Sequence, residues 1–157
     1  MHAIRWSEDM ALGVPTMDQA HQALLAQLER LIAAPDEHFA AAYCELIATL
    51  EADFREEEQL MEKINFPARR RHSEQHARVL NGLRHADADV RQGDMAAGRD
   101  VVRMLPRWFL GHLSSMDLEL AVALELAGEH HQRPPDVLLR AQLSRMLKQN
   151  MMESTRD

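Results

Sequence analysis

Residues 53–76 read DFREEEQLMEKINFPARRRHSEQH. Pro67 divides this run into two helical patterns, because proline cannot continue a helix and restricts the residue before it. Upstream, Phe54, Met61 and Ile64 extend an apolar stripe that starts at Phe39 and passes through Tyr43, Leu46 and Leu50 in steps of three and four. Downstream, Val79, Leu80, Leu83 and Val90 mark a second helix. Asp53 and Glu57, four apart, occupy stripe positions between Leu50 and Met61, while His72 and His76, also four apart, lead into Val79 and Leu83. Side chains at that spacing share a helix face, so carboxylates from one helix and imidazoles from the next point inward with the hydrocarbon.

The pattern extends in both directions. A helix over about 17–34 carries Leu24, Leu25, Leu28, Leu31 and Ile32, with Thr16 placed to cap it, Asp18 placed for its dipole and Pro35 ending it. The two helices meeting at Pro67 span about 36–65 and 68–92, and Gly93 stops the latter. A fourth runs over about 95–127 with Val101, Leu105, Trp108, Phe109, Met116, Leu120 and Leu124, and Pro106 inside it predicts a kink. Short connections make neighbours antiparallel. The expected fold is all-α, an up-down-up-down four-helix bundle over residues 1–128, with 1–16 as an ordered N-terminal arm holding Trp6, Leu12 and Val14. Residues 129–157 form a C-terminal extension beyond Pro134-Pro135. In it, Val137, Leu138, Leu139, Leu143, Met146 and Leu147 predict an amphipathic helix over 136–151 that either packs on the bundle or mediates self-association.

Composition agrees and narrows the function. Six Gly and six Pro in 157 residues are too few for a turn-rich β fold. A net charge of −7 with no basic face argues against a nucleic-acid partner. The longest apolar run, LELAVALELAG at 118–128, is too short to span a bilayer and is broken by Glu119 and Glu125, so no membrane partner is expected. The single Cys44 excludes an internal disulfide, and the N-terminus lacks an apolar leader, so the expected location is the cytoplasm.

The remaining polar residues on the stripes complete the site. His21 precedes Leu24, Leu25 and Leu28 by three, four and seven, and His112 follows Leu105 and Trp108 by seven and four, so both face inward. Asp117, five beyond His112, turns to one flank on α-helical geometry. His2, His38, His85, His130 and His131 fall off the stripes, and Glu56 and Glu58 read as a solvated face. Burying even a neutral polar group unpaired costs roughly 2–7 kcal/mol, and three converging carboxylates also repel one another. Bound cations resolve both problems. Seven candidate ligands, His21, Asp53, Glu57, His72, His76, His112 and Asp117, exceed a tetrahedral zinc site. Two ions sharing carboxylates fit better, and the mixed imidazole and carboxylate set suits iron, ahead of manganese or zinc.

The stretches WSEDMALGVPTMDQAHQALL (6–25), FREEEQLMEKINFPARRRHSEQH (54–76) and WFLGHLSSMD (108–117) resemble the hemerythrin family, in particular its single-domain bacterial members. The resemblance implies two iron ions bridged by an oxo or hydroxo oxygen and by Glu57 and Asp117. His72, His76 and His112 would complete one iron, and His21 would ligate the other, which binds dioxygen or another diatomic. Leu24, Phe54, Trp108 and Phe109 would line the apolar ligand pocket.

One position departs from the family pattern. Asp53 stands directly before Phe54, where the family carries a histidine for the second iron. Asp53 ligates directly, ligates through water, or leaves the second site weak. As a third carboxylate it lowers the charge of the centre and favours the ferric state, which predicts faster autoxidation. The leading reading is oxygen binding, storage, delivery or sensing by a protein that is not an enzyme. The alternatives are a di-iron redox enzyme acting on peroxide, oxygen or nitric oxide, and an iron-handling or interaction module.

Overall fold

The computed structural model describes residues 4–128, so the helix expected at 136–151 lies outside the described residues, as do His2, His130 and His131. The helices are α1 (Pro15–Ala33), α2 (Asp36–Lys63), α3 (Arg69–Arg91) and α4 (Met95–His112). The last continues through a π-helical segment, Leu113–Asp117, into α5 (Leu118–Leu126). The described residues contain no strand. Each rod packs on its neighbour in the chain, and α1 closes against α4, which completes the up-down-up-down bundle.

The stripes form the core. Leu24, Leu25, Leu28 and Leu31 of α1, Phe39, Tyr43, Leu46 and Leu50 of α2, Leu83 and Val90 of α3, and Val102, Leu105, Leu120 and Leu124 of the last rod are all buried. Among the expected stripe residues Ile32 is exposed, and Ile64, Val79, Leu80, Val101 and Trp108 are only half-buried, with Val102 rather than Val101 turned fully inward. The Tyr43 hydroxyl donates to the Leu83 carbonyl at 2.8 Å and ties α2 to α3 in the interior. At Gly98 the rods approach too closely for a side chain, since a Cβ there would lie 2.5 Å from Val90 and 2.8 Å from Phe39. Gly98→Ala is therefore expected to lower stability by about 1–3 kcal/mol through overpacking, read as a shift in the urea midpoint.

The helix ends differ from the sequence expectation in ways that matter for the site. α1 opens on Pro15, whose fixed φ and missing N–H suit the first helical position, so Thr16 lies inside the helix and does not cap it. Asp18 instead serves the arm: its carboxylate accepts the N–H of Leu12 at 2.7 Å and of Gly13 at 3.1 Å. That clamp holds Met10, Leu12 and Val14 in the core, just before the helix that carries His21. α2 ends at Lys63, short of Asn65. Asn65 adopts φ 50°, the left-handed region its short polar side chain tolerates. Phe66 N–H reaches the Met61 carbonyl and Asn65 N–H the Glu62 carbonyl, the 6→1 and 5→2 bonds of a Schellman turn. This turn reverses the chain and sets α3 against α2, with His72 opposite Glu57.

The fourth rod passes through Pro106 without a break. Its departure from α geometry comes later, at Leu113–Asp117.

Candidate metal centre

Six side chains from all four rods meet in the interior: His21, Glu57, His72, His76, His112 and Asp117, each at most 5% exposed. Glu57 Oε2 lies 3.1 Å from both His72 Nε2 and His76 Nε2, whereas its other oxygen, Oε1, lies 3.6 Å from His21 Nε2. Asp117 divides in the same way. Its Oδ1 is 3.2 Å from His72 Nε2 and 3.0 Å from His112 Nε2, and its Oδ2 is 3.2 Å from His21 Nε2. Each carboxylate thus offers one oxygen to a three-imidazole side and the other to His21. Five of the six residues, all but His21, present donor atoms within 4.8 Å of one another.

Asp117 reaches this place because of the π segment. In an α-helix five residues turn about 140° past a full circle, which would put Asp117 on the flank. The wider turn of Leu113–Asp117 absorbs the extra residue and returns Asp117 to the face of His112, where it is fully buried. The local sequence supports this opening. The hydroxyls of Ser114 and Ser115 both donate to the Gly111 carbonyl, at 3.2 and 2.6 Å, competing with the backbone ladder there.

The short distances are not a satisfied hydrogen-bond network. Both Asp117 oxygens lack a well-aligned hydrogen bond although three imidazole nitrogens lie within 3.2 Å. His76 Nε2 and His112 Nε2 face each other at 3.0 Å, which without a shared proton sets lone pair against lone pair. Such a set is poorly arranged for itself and well arranged for positive charge placed between its members. Its chemistry, imidazole nitrogen plus carboxylate oxygen, fits first-row transition ions.

The electrostatics agree. Burial opposes the charged form of His21, but Asp117 and Glu57 outweigh it and raise its pKa to about 10. The same balance raises His72 to about 9. Burial and the Asp117 charge push Glu57 up, yet His21, His72 and His76 overcome them and hold it at about 2. Burial also pushes Asp117 up, and the facing imidazoles of His112, His21 and His72 hold it well below its ordinary range. Protons on His21 and His72 thus neutralise the carboxylates when metal is removed. Their folded pKa values exceed the ordinary 6.5, so this contribution is complete below pH 6.5 and lost as pH rises through about 9 and 10. Chelator-treated protein is expected to lose stability over that window, measured as a falling urea midpoint.

Gln75 was not legible in the sequence as part of the site. Its Oε1 lies 3.0 Å from His112 Nδ1, and since an amide oxygen only accepts, that nitrogen must carry the proton. The tautomer leaves the His112 Nε2 lone pair facing the centre. No stripe marks Gln75; the only signal is its place between the paired histidines. Gln75→Leu is expected to weaken metal binding about 10–100-fold, measured by competition with a chromophoric chelator, while Gln75→Glu should preserve it.

The four residues expected to line a ligand pocket divide between the two sides. Phe109 meets His21 edge-on, with ring centroids 5.3 Å apart. Phe54 stacks on His76 at 3.7 Å and Trp108 on His112 at 4.7 Å, against the three-imidazole side. Leu24 is buried one turn beyond His21. Asp53 is half-buried, outside the converging group, with its pKa raised to about 6 by burial and by Glu57, against the opposing pull of His21. Glu56 is exposed as expected, but Glu58 is half-buried and accepts a hydrogen bond from Arg69 Nε at 2.6 Å, fastening α2 to α3.

Fold and centre together define a class: a four-helix bundle whose interior gathers imidazoles and carboxylates in a cation-binding arrangement. Residues 12–124 match the family model described as the Hemerythrin HHE cation binding domain. Bacteriohemerythrin of Ralstonia nicotianae (strain ATCC BAA-1114 / GMI1000) is 35% identical over 136 residues, covering 87% of this chain and 95% of that protein. The chain belongs to the hemerythrin family.

Proposed function

We propose that this protein is a non-haem di-iron protein that binds dioxygen or a related diatomic. The observation that carries the reading is the division of Glu57 and Asp117, each with one oxygen toward three imidazoles and the other toward His21. Such a division suits two cations that share both carboxylates. His72, His76 and His112 would hold one iron, and His21, with Asp53 beside it, the other. The irons supply the electrons that bind and polarise a diatomic ligand.

The protein's own residues set the conditions. Glu57 and Asp117 neutralise the ions inside hydrocarbon. Gln75 fixes the His112 ring. Leu24 and Phe109 keep the surroundings of His21 apolar, which admits a small uncharged gas and excludes bulk water. Among the described residues no helix is long and apolar enough to cross a membrane, and Cys44 is free and exposed, which suits a reducing cytoplasm.

The test is iron analysis together with the optical spectrum of the reduced protein before and after air. Two irons per chain and an air-dependent spectral change are expected, the change reversing when the gas is removed at once and giving way to the ferric spectrum on longer exposure. Continuous turnover of peroxide or nitric oxide would instead mark an enzyme.

A further inference from the structure

Building on the di-iron reading, we infer that the two cation positions are unequal, so that the centre fills in order. The position facing His72, His76 and His112 loads first and holds its ion. The position facing His21 loads second and exchanges, with Asp53 as its solvent-side donor.

The donor inventory carries the inference. The first position has three imidazole nitrogens with Glu57 Oε2 and Asp117 Oδ1, five donors within 4.8 Å of one another and all buried. The second has one imidazole nitrogen with Glu57 Oε1 and Asp117 Oδ2, and the Glu57 contact is the longest of the centre at 3.6 Å. Among the described residues, no buried polar side chain beyond the six of the centre is available to replace the missing donors. Asp53 lies one turn before Glu57 on α2, close enough to Glu57 and His21 to feel both charges, whereas Asp18, which also feels His21, is committed to the N–H groups of Leu12 and Gly13. Asp53 is half-buried and forms no hydrogen bond or ion pair with any described residue, so its carboxylate is uncommitted and reaches solvent.

Losing a partner that merely supports a ligand costs about 10–100-fold in metal affinity. With Asp53 counted, the second position still has one direct donor fewer, which separates the positions by at least about 10-fold. The second ion also enters beside the first and meets its repulsion, which the Asp53 charge offsets in part. The arrangement makes a two-ion centre conditional on the supply of ferrous iron, while a one-ion centre persists.

Release of iron from the loaded protein tests this. Ferrous-loaded protein is mixed anaerobically with a chromophoric ferrous chelator, and the release of each equivalent is timed. Two phases of one equivalent each are expected, at least about 10-fold apart in rate. Asp53→Ala should speed the fast phase and leave the slow one unchanged. Asp53→His should slow the fast phase by at least about 10-fold. Gln75→Leu, on the other side, should speed the slow phase alone. A single phase for both equivalents, or Asp53 variants that change only the slow phase, overturns the inference and leaves the di-iron reading standing. Protein that retains no iron before the chelator is added overturns both.

Discussion

Asp117→Asn is expected to empty the centre of both ions and to destabilise the chelator-treated protein as well. The carboxylate is fully buried, and its two oxygens face opposite sides, Oδ1 toward His72 and His112 and Oδ2 toward His21. The amide keeps the shape, removes the charge and turns one ligand oxygen into a donor nitrogen. Neither cation position then has its shared bridge. In the metal-free protein the same change leaves protonated His21 and His72 short of one counter-charge. Removing one partner of a buried charge pair typically costs about 3–5 kcal/mol. Elemental analysis and urea unfolding with and without chelator read the two effects separately. The variant should carry less than one iron per chain, and chelator should no longer shift its unfolding midpoint. Full iron content in a folded Asp117→Asn protein would contradict the assigned bridge.

The second large effect concerns Asp53. Asp53→His exchanges a carboxylate for a neutral imidazole on the His21 side. A unit charge roughly 5 Å from the ion, at an effective dielectric of about 20, is worth about 3 kcal/mol. Removing it disfavours the ferric state. Air oxidation of the ferrous variant should therefore slow by tens of fold, and its reduction potential should rise. Stopped-flow mixing with aerated buffer measures the first, and redox titration the second. Unchanged kinetics together with an unchanged potential would place Asp53 too far from the ion to act on it.

Much of the architecture was legible because each rod repeats one apolar face, and the polar exceptions on those faces converge in the interior, except Asp53, which is half-buried outside the group. His21, Glu57, His72, His76 and His112 could be placed by counting threes and fours. Asp117 could not, because counting assumes α geometry and the segment that positions it has a wider turn. The serines that support this turn lie inside the motif, but their effect appears only when both hydroxyls are seen on Gly111. Gln75 was hidden for another reason: it acts through a ring on a different helix, a relation with no period in the chain. The same holds for Asp18, whose partners Leu12 and Gly13 precede the helix whose dipole it was expected to favour. Asn65, not Pro67, makes the turn that aligns α2 with α3, since its left-handed conformation completes the Schellman bonds before the proline is reached.

Crystals grown anaerobically with excess ferrous iron, and measured on both sides of the iron absorption edge, test the central claim directly. Two anomalous peaks are expected. One should lie among His72, His76, His112, Glu57 Oε2 and Asp117 Oδ1, and a weaker one among His21, Glu57 Oε1, Asp117 Oδ2 and Asp53. A centre without a peak, with imidazolium rings bonded straight to the carboxylates, would contradict the account.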